Sequence, residues 1–367
     1  MTKAIPKPKT KPSAQHIAII GAGMAGITAA RTLAQAGHNV TVFEKSAGFG
    51  GRMATRRTPF GSFDHGAQYF TVRDARFRAM MKWALDQDPT LARPWSANAV
   101  RVLDSAGRQA AAALPAHEPH WVAQPGMNAL VGYMAKPLHS AGHVHLHTRV
   151  HGLLHDAKAP GGAAWTLYAV DAQDKDAIYT GFDKVILAMP APQVREMLLN
   201  SEHHETWAKQ LEGVRIAPCW TLMLAYPTAV SIKPHANAVP LGPQWSAARS
   251  THHRIAWLAR ESSKPAREPL ERWTVQASAD WSQEHLEDDT ERVKAKLIKA
   301  FAEITGIRAE PDHAEVQRWR YAKTDKPLGK SYLWDAKTGL GACGDWCIGH
   351  RVEDAFVSGL ELALIAL

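Results

Sequence analysis

Apolar and polar positions follow two different periods along this chain, and the first change of period marks its opening unit. Ile17-Ala18-Ile19-Ile20 is a short unbroken apolar run, as a buried strand requires, and it leads into Gly21-Ala22-Gly23-Met24-Ala25-Gly26. Small and apolar residues then recur at helical spacing (Ile27, Ala29, Ala30, Leu33, Ala34), Gly37 supplies a stop, and Asn39 to Phe43 reads as the next strand. Later runs predict further strands at His143 to Leu154, Trp165 to Val170 and Asp183 to Met189, with others near Trp220 to Ala225 and Arg254 to Ala259. Helical spacing predicts helices at Asp74 to Gln87 and Ser282 to Thr305, and a closing helix whose face is Val352, Ala355, Phe356, Gly359, Leu360, Ala363 and Leu364. Strand, helix and strand in this order give an α/β fold of Rossmann type.

The glycines add chemistry to that pattern. Gly21 permits a tight turn, Gly23 lets backbone amides approach a pyrophosphate, and Gly26 lets helix and strand pack closely; the phosphates then sit at a helix N-terminus. Glu44 falls at the end of the second strand, where an acid binds ribose hydroxyls, so a dinucleotide is the expected cofactor. A second flexible basic loop follows directly, Gly48-Phe49-Gly50-Gly51-Arg52 and then Met53-Ala54-Thr55-Arg56-Arg57. Such a loop suits FAD held in an extended shape, with an arginine neutralising phosphate charge. Near the other end, Gly339 to Gly344 reads as a short strand ending in the pair Gly344-Asp345. Asp345 is placed to accept hydrogen bonds from ribityl hydroxyls, and the closing helix to aim its positive end at the flavin's N1 and C2 carbonyl.

Composition narrows the class. With 367 residues, 46% hydrophobic and 21% charged, the chain can bury a sizeable core and is expected to be soluble and to form two domains. No run of about 18 apolar residues suggests a membrane span, and the basic, proline-studded start is expected to be a disordered tail over residues 1–13. Cys219, Cys343 and Cys347 make no disulfide framework and suit a reducing cytoplasm. The net charge of +8 is partly carried by Lys3, Lys7, Lys9 and Lys11 and is otherwise scattered, which argues against nucleic acid as a partner. His143, His145, His147 and His151 share strand spacing, but no carboxylate or cysteine nearby completes a tetrahedral set, so no metal is expected. Neither does a Gly-x-Ser-x-Gly elbow support hydrolase chemistry.

Taken together, the glycine turn, Gly50-Gly51-Arg52-Met53-Ala54-Thr55-Arg56, Phe63-Asp64-His65-Gly66-Ala67-Gln68-Tyr69-Phe70 and Cys343-Gly344-Asp345-Trp346 resemble bacterial renalase-like FAD-dependent oxidoreductases of the flavin amine oxidase superfamily. Gln124 to Leu130, Lys184 to Gln193, Ile255 to Arg260 and Arg318 to Ala322 extend the resemblance over nearly the whole chain past the tail. It implies a two-dinucleotide-binding flavoprotein whose FAD domain is discontinuous (14–75, 140–200 and 312–367), with a second α+β substrate domain (76–139 and 201–311). It implies noncovalent FAD in contact with Gly21, Gly23, Met24, Ala25, Gly26, Glu44, Lys45, Gly51, Arg52, Met53, Asp64, His65, Gly66, Ala67, Val150, Gly344, Asp345, Arg351, Val352, Glu353 and Ala355. Gln68, Tyr69, Gln276 and Trp319 are the residues expected to position flavin and substrate.

The resemblance further implies an oxidase that accepts hydride from the 2- and 6-dihydro isomers of NAD(P)H, returns NAD(P)+ and passes electrons to O2 as H2O2. The partners are then a small molecule and O2, with no nucleic acid and no membrane; no oligomeric state follows. Gln276 and Gln317 stand where such proteins often carry histidine. An amine oxidase acting on a small amine is the alternative within the same fold, a non-catalytic FAD-binding protein the alternative outside enzymes, and a carotenoid or porphyrinogen dehydrogenase a third.

Overall fold

The computed structural model describes residues 14–95, 100–111, 118–159, 164–227 and 241–367. The expected tail, 1–13, lies outside them.

The apolar run His16–Ile20 becomes the centre of a six-stranded sheet in the order Leu333–Asp335, Leu340–Ala342, Lys184–Leu187, His16–Ile20, Asn39–Phe43 and Val144–His145. All neighbours are parallel except the first pair. Both faces of that sheet are covered, which is why its strands read as continuous apolar runs rather than as alternation. On one face the helix Met24–Gln35 buries Ile27, Ala29, Ala30 and Leu33 against the closing helix Val352–Ala366. Those two helices touch so closely that a Cβ on Gly359 would lie 2.2 Å from the carbonyl oxygen of Ala25. A three-stranded antiparallel sheet, Arg149–His155, Trp165–Val170 and Asp176–Phe182, packs against the other face.

The second large sheet has seven strands in the order His313–Lys326, Arg215–Ala225, Arg272–Ala277, Ile255–Arg260, Ala247–Ser250, Val100–Leu103 and Gln109–Ala111. Helix Thr290–Thr305 lays Val293, Leu297, Ala300, Phe301 and Ile304 on its apolar face. The architecture is therefore α/β with a Rossmann-type unit and an α+β partner.

Several expectations need correction. Residues 312–367 do not act as one piece: His313–Lys326 pairs along nearly its whole length with Arg215–Ala225 at the edge of the seven-stranded sheet. Helices Ala75–Gln87 and Asn128–Ser140, expected in the substrate domain, instead bury Phe77, Met81, Leu130, Val131 and Met134 in the core around Met24–Gln35. The helix read over Ser282 to Thr305 is two, Ala279–Glu284 and Thr290–Thr305, split where Asp289 caps the second by accepting from the Glu291 and Arg292 amides at 3.0 and 3.1 Å. The strand read over His143 to Leu154 is broken at His147, whose φ of 52° turns the chain, so the four histidines do not share a face.

Candidate active site

The nucleotide turn forms as its spacing requires. Gly21 adopts φ 110°, and a Cβ there would sit 2.4 Å from the Ala188 carbonyl oxygen; a Cβ on Gly26 would sit 2.0 Å from that of Gly21. The helix begins with Gly23 in extended conformation, with no capping side chain and no acid in its first turn, so its amide dipoles face an anion uncontested. Met24 and Ala25 are buried and can offer only backbone here. Glu44 is anchored by both oxygens, accepting from the Ala22 and Ser46 amides at 2.8 Å each, which fixes its outer lone pairs at the strand end. Lys45 beside it is exposed. The Glu44 carbonyl accepts from the Thr148 amide at 2.8 Å, which brings the start of Arg149–His155 alongside; Val150 there is buried and has only its backbone to offer.

The basic loop docks under this turn. The Gly50 amide donates to Ala22 at 3.1 Å and Gly50 bridges Gly23, leaving Gly51 at φ 55° and Met53 buried. Arg52 forks onto Asp345, Nη1 reaching Oδ2 at 2.9 Å and Nη2 reaching Oδ1. The sequence assigned these two groups to phosphate and to ribityl hydroxyls; they are instead partners at one spot beside Gly344, and any nucleotide meets them as a pair. Arg351, Val352 and Ala355 begin the closing helix, with the Arg351 amide donating to Asp354 at 2.8 Å. Glu353 is a correction: it is buried and accepts from the Thr71 hydroxyl and the Arg73 and Asp74 amides at 3.2, 2.7 and 3.0 Å, so its carboxylate holds a neighbouring loop rather than a cofactor.

Gly66 is where the units join. A Cβ on it would lie 2.0 Å from the Arg52 carbonyl oxygen, and the Ala67 amide donates to that same oxygen at 2.8 Å. From the seven-stranded sheet, Gln276 donates to the Gly66 carbonyl at 2.7 Å and Trp319 to the His65 carbonyl at 2.9 Å. The His65 ring stacks on Trp319 with centres 5.2 Å apart. Burial first, and Arg56 second, push the His65 imidazole down to about 4 against the pull of Asp64, so it is neutral around pH 7. Gln317, one pleat from Trp319, accepts from Arg56 at 2.9 Å.

Asp64 and Gln68 are corrected too. Asp64 is wholly buried, accepting from Thr55 at 2.7 Å, the Met127 amide at 2.9 Å, Lys264 at 3.1 Å and Arg267 at 2.9 Å. Burial alone would raise its carboxyl; Lys264 and Arg267 hold it well below the usual carboxylate range. Gln68 spends both ends of its amide inside the protein, donating to the Asp64 and Gly66 carbonyls and accepting from Lys264 at 3.4 Å. Both residues set the course of the 64–68 segment and have no free edge for a ligand. Sequence reasoning missed their partners. Lys264 also holds Glu261 at 2.9 Å, itself bonded by Thr274 at 2.6 Å. The available signal was the charged run Glu261-Ser262-Ser263-Lys264-Pro265-Ala266-Arg267 directly after a buried strand, which ordinarily marks a solvated loop.

Residues 19–83 match the family described as NAD(P)-binding Rossmann-like domain, and residues 112–364 match the one described as Flavin containing amine oxidoreductase. The chain belongs to the flavin-containing amine oxidoreductase family. This oxidoreductase also superposes on a protein assigned as a protoporphyrinogen oxidase from Exiguobacterium sp. 255-15, with TM-score 0.71 and 12% identity over 96% of this chain and 98% of that one. A wild-type putrescine oxidase bound to putrescine gives TM-score 0.65 and 13% identity over the same shares. At such identities the likeness concerns the fold. In sequence, 43 residues are 56% identical to an L-amino-acid oxidase of Notechis scutatus scutatus, spanning 12% of this chain but only 8% of that protein.

FAD is the cofactor the family implies, and the flavoprotein's own geometry fits it: an uncapped helix start for the pyrophosphate, a fixed carboxylate at Glu44 for ribose, Gly21 and Gly26 where a Cβ would collide with backbone, and Gly23, whose Cβ would meet only the Gly50 carbonyl oxygen at 3.9 Å and whose missing side chain leaves room for a phosphate. Gly21, Gly23, Gly26, Glu44, Gly51, Arg52, Asp345 and the start of the closing helix would hold it.

Proposed function

We propose that this flavin-containing amine oxidoreductase is an oxidase that takes a hydride from a carbon bonded to nitrogen in a small molecule. The junction at Gly66 carries the reading: the loop from the nucleotide turn meets there two side-chain donors, Gln276 and Trp319, sent by the other sheet. FAD, when bound, supplies the hydride acceptor and passes the electrons to dioxygen as peroxide. The protein's part is to fix the 64–68 backbone from three sides and to keep His65 neutral beside the substrate. Small amines or amino acids are the substrate class supported by family membership and by the likeness to L-amino-acid and putrescine oxidases.

One observation favours a second reading, the 2- and 6-dihydro isomers of NAD(P)H implied by the renalase-like motifs. Asp64 is paired with Lys264 and Arg267, Glu261 with Lys264, Glu271 with Arg260, and Glu315 with Arg56. Carboxylates already so engaged suit an uncharged dihydropyridine better than an ammonium group.

Anaerobic stopped-flow mixing of the yellow holoprotein with putrescine, L-amino acids and both dihydro isomers tests the two together. Bleaching of the flavin band by one class, with peroxide on admitting air, identifies the substrate; no bleaching by any of them rejects the oxidase reading. Noncovalent attachment fits the buried Cys343 thiol, pushed up to about 12 by desolvation and so unreactive as a thiolate. Acid precipitation should then leave the colour in the supernatant.

A further inference from the structure

Away from the nucleotide turn, four helices border a cavity of about 260 Å³. Helix Met24–Gln35 gives it one face, Thr28, Arg31, Thr32 and Gln35. Helices Ala75–Gln87 and Asn128–Ser140 and the closing helix supply only apolar side chains: Met80 and Trp83, Met134, and Phe356 with Leu360. Arg31 lies seven residues past the helix start at Met24, roughly 10 Å along the axis, so the cavity is separate from the end that faces the phosphates.

The cation in this cavity is unanswered. Arg31 lies over the Trp83 ring at 3.8 Å, and its Nη1 is buried without a hydrogen-bond partner. Burial works against its charge first, and what opposes burial is the Tyr133 phenol rather than a carboxylate. A guanidinium does not escape that cost by losing its proton, so it stays charged in a half-buried, mostly apolar setting. Thr28 donates to the Met24 carbonyl at 2.7 Å and Thr32 to the Thr28 carbonyl at 2.8 Å, so both hydroxyl protons are spent. Arg31 and the exposed Gln35 amide are then the donors that an incoming group meets on this helix.

The ligand's chemistry follows from the two halves of the cavity. Trp83 covers one face of the guanidinium and leaves its edge open, and a planar edge of N–H groups matches a carboxylate. An ammonium would meet a like charge, and an uncharged head would leave the cation unpaired. The other walls call for an apolar body, to whose shape the two methionines adapt. Since a cavity of about 150 Å³ accepts a benzene ring, this one has room for an apolar body of roughly eight carbons.

We propose that this four-helix cavity is a binding site for a small apolar monocarboxylate, with Arg31 at its head and Met80, Trp83, Met134 and Phe356 along its chain. The site is distinct from the one where oxidation takes place and does not depend on which substrate is oxidised.

Octanoate is the probe, titrated into the FAD-saturated holoprotein by calorimetry while a parallel titration follows the flavin absorption band. Saturable binding at millimolar concentration is expected, with octanol and octylammonium roughly tenfold weaker or worse and the flavin band unmoved. Arg31→Gln is expected to weaken octanoate roughly tenfold while keeping FAD content and the unfolding temperature of the ligand-free holoprotein, because the charge it removes has no partner there. Should Arg31→Gln fail to fold, Gln35→Glu at an exposed position supplies the reading: its carboxylate, one helical turn from Arg31, engages the guanidinium from within and is expected to weaken octanoate about tenfold as well. Failure of octanoate to saturate at millimolar concentration overturns the proposal. So does octanol bound as tightly as octanoate, or undiminished octanoate affinity in either variant. Octanoate that shifts the flavin band has entered the oxidation site, and that outcome overturns it too.

Discussion

The nucleotide turn and the Asp64 wall are both buried, both polar and only one loop apart, yet they are built on opposite principles. In the turn, polar groups are left open: the helix that begins at Met24 carries no cap and no first-turn acid, and glycines keep side chains out of the way. In the wall, most polar groups meet one another: Asp64, Glu261, Lys264, Arg267, Thr55 and Thr274 form a largely buried network, with Glu261 Oε2 and Arg267 Nε and Nη1 left without a hydrogen-bond partner. Openness serves a ligand that arrives from outside, while closure serves a segment that must stay still. Gly66 lies where the two meet, so a loose wall would move the backbone on which the cofactor loop rests.

The largest test of that contrast is Lys264→Met. It leaves Glu261 and part of Asp64 as uncompensated buried charge, which costs about 4 kcal/mol by the behaviour of broken buried pairs. Urea unfolding of the holoprotein at pH 7 measures it, and adding Glu261→Gln should recover part of the loss. A cost below about 1 kcal/mol would show that the wall does not act as a unit. Next comes Gly26→Ala in the open region. Its Cβ would lie 2.0 Å from the Gly21 carbonyl oxygen and 3.0 Å from the Ala188 Cβ, and because the nearest obstacle is backbone the strain should exceed about 3 kcal/mol. The purified variant is expected to be colourless, with FAD uptake measured by absorbance; a yellow, equally stable variant would mean that the turn tolerates what its geometry forbids.

The two regions were also unequally legible in the sequence. The turn is local: a strand, three glycines, a helix and an acid follow one another within thirty residues or so, each with its own steric reason, and the structure keeps them in that order. The wall is not local, since Lys264 lies 200 residues from Asp64, and no periodicity couples a charged loop to a buried carboxylate that far away. Gln276 and Trp319 stood out by residue type and did reach the junction, but through backbone carbonyls that a sequence does not display. Gln68 and Glu353 were misread for the same reason. Their partners are main-chain atoms of loops whose course only the folded chain defines. Helix Ala75–Gln87 shows the limit for domains: its apolar face was plain, but which core it covers depends on distant helices.

His65 gives the smallest of these effects and the most selective one, because it belongs to the wall by position and to the open region by its unpartnered Nδ1. Its imidazole ordinarily titrates near 6.5 and is pushed down to about 4 in the folded protein. Between those values the unfolded chain binds a proton that the folded chain refuses, so stability is complete above about pH 6.5 and is lost as pH falls toward 4. The whole shift corresponds to roughly 3 kcal/mol. Below pH 4 the decline should continue for a separate reason, since Asp64 is held ionised by Lys264 and Arg267 and its contribution disappears only as acid protonates it. Unfolding free energies of the FAD-saturated protein at pH 7, 5.5 and 4 measure the first segment. In His65→Leu that segment should become shallower by the His65 share, since His120, His145 and His252 are lowered by burial too and keep titrating there, while the fall below pH 4 persists because the leucine leaves the Asp64 network in place. An unchanged slope between pH 6.5 and 4 would assign the titration to another histidine and return His65 to a packing role against Trp319.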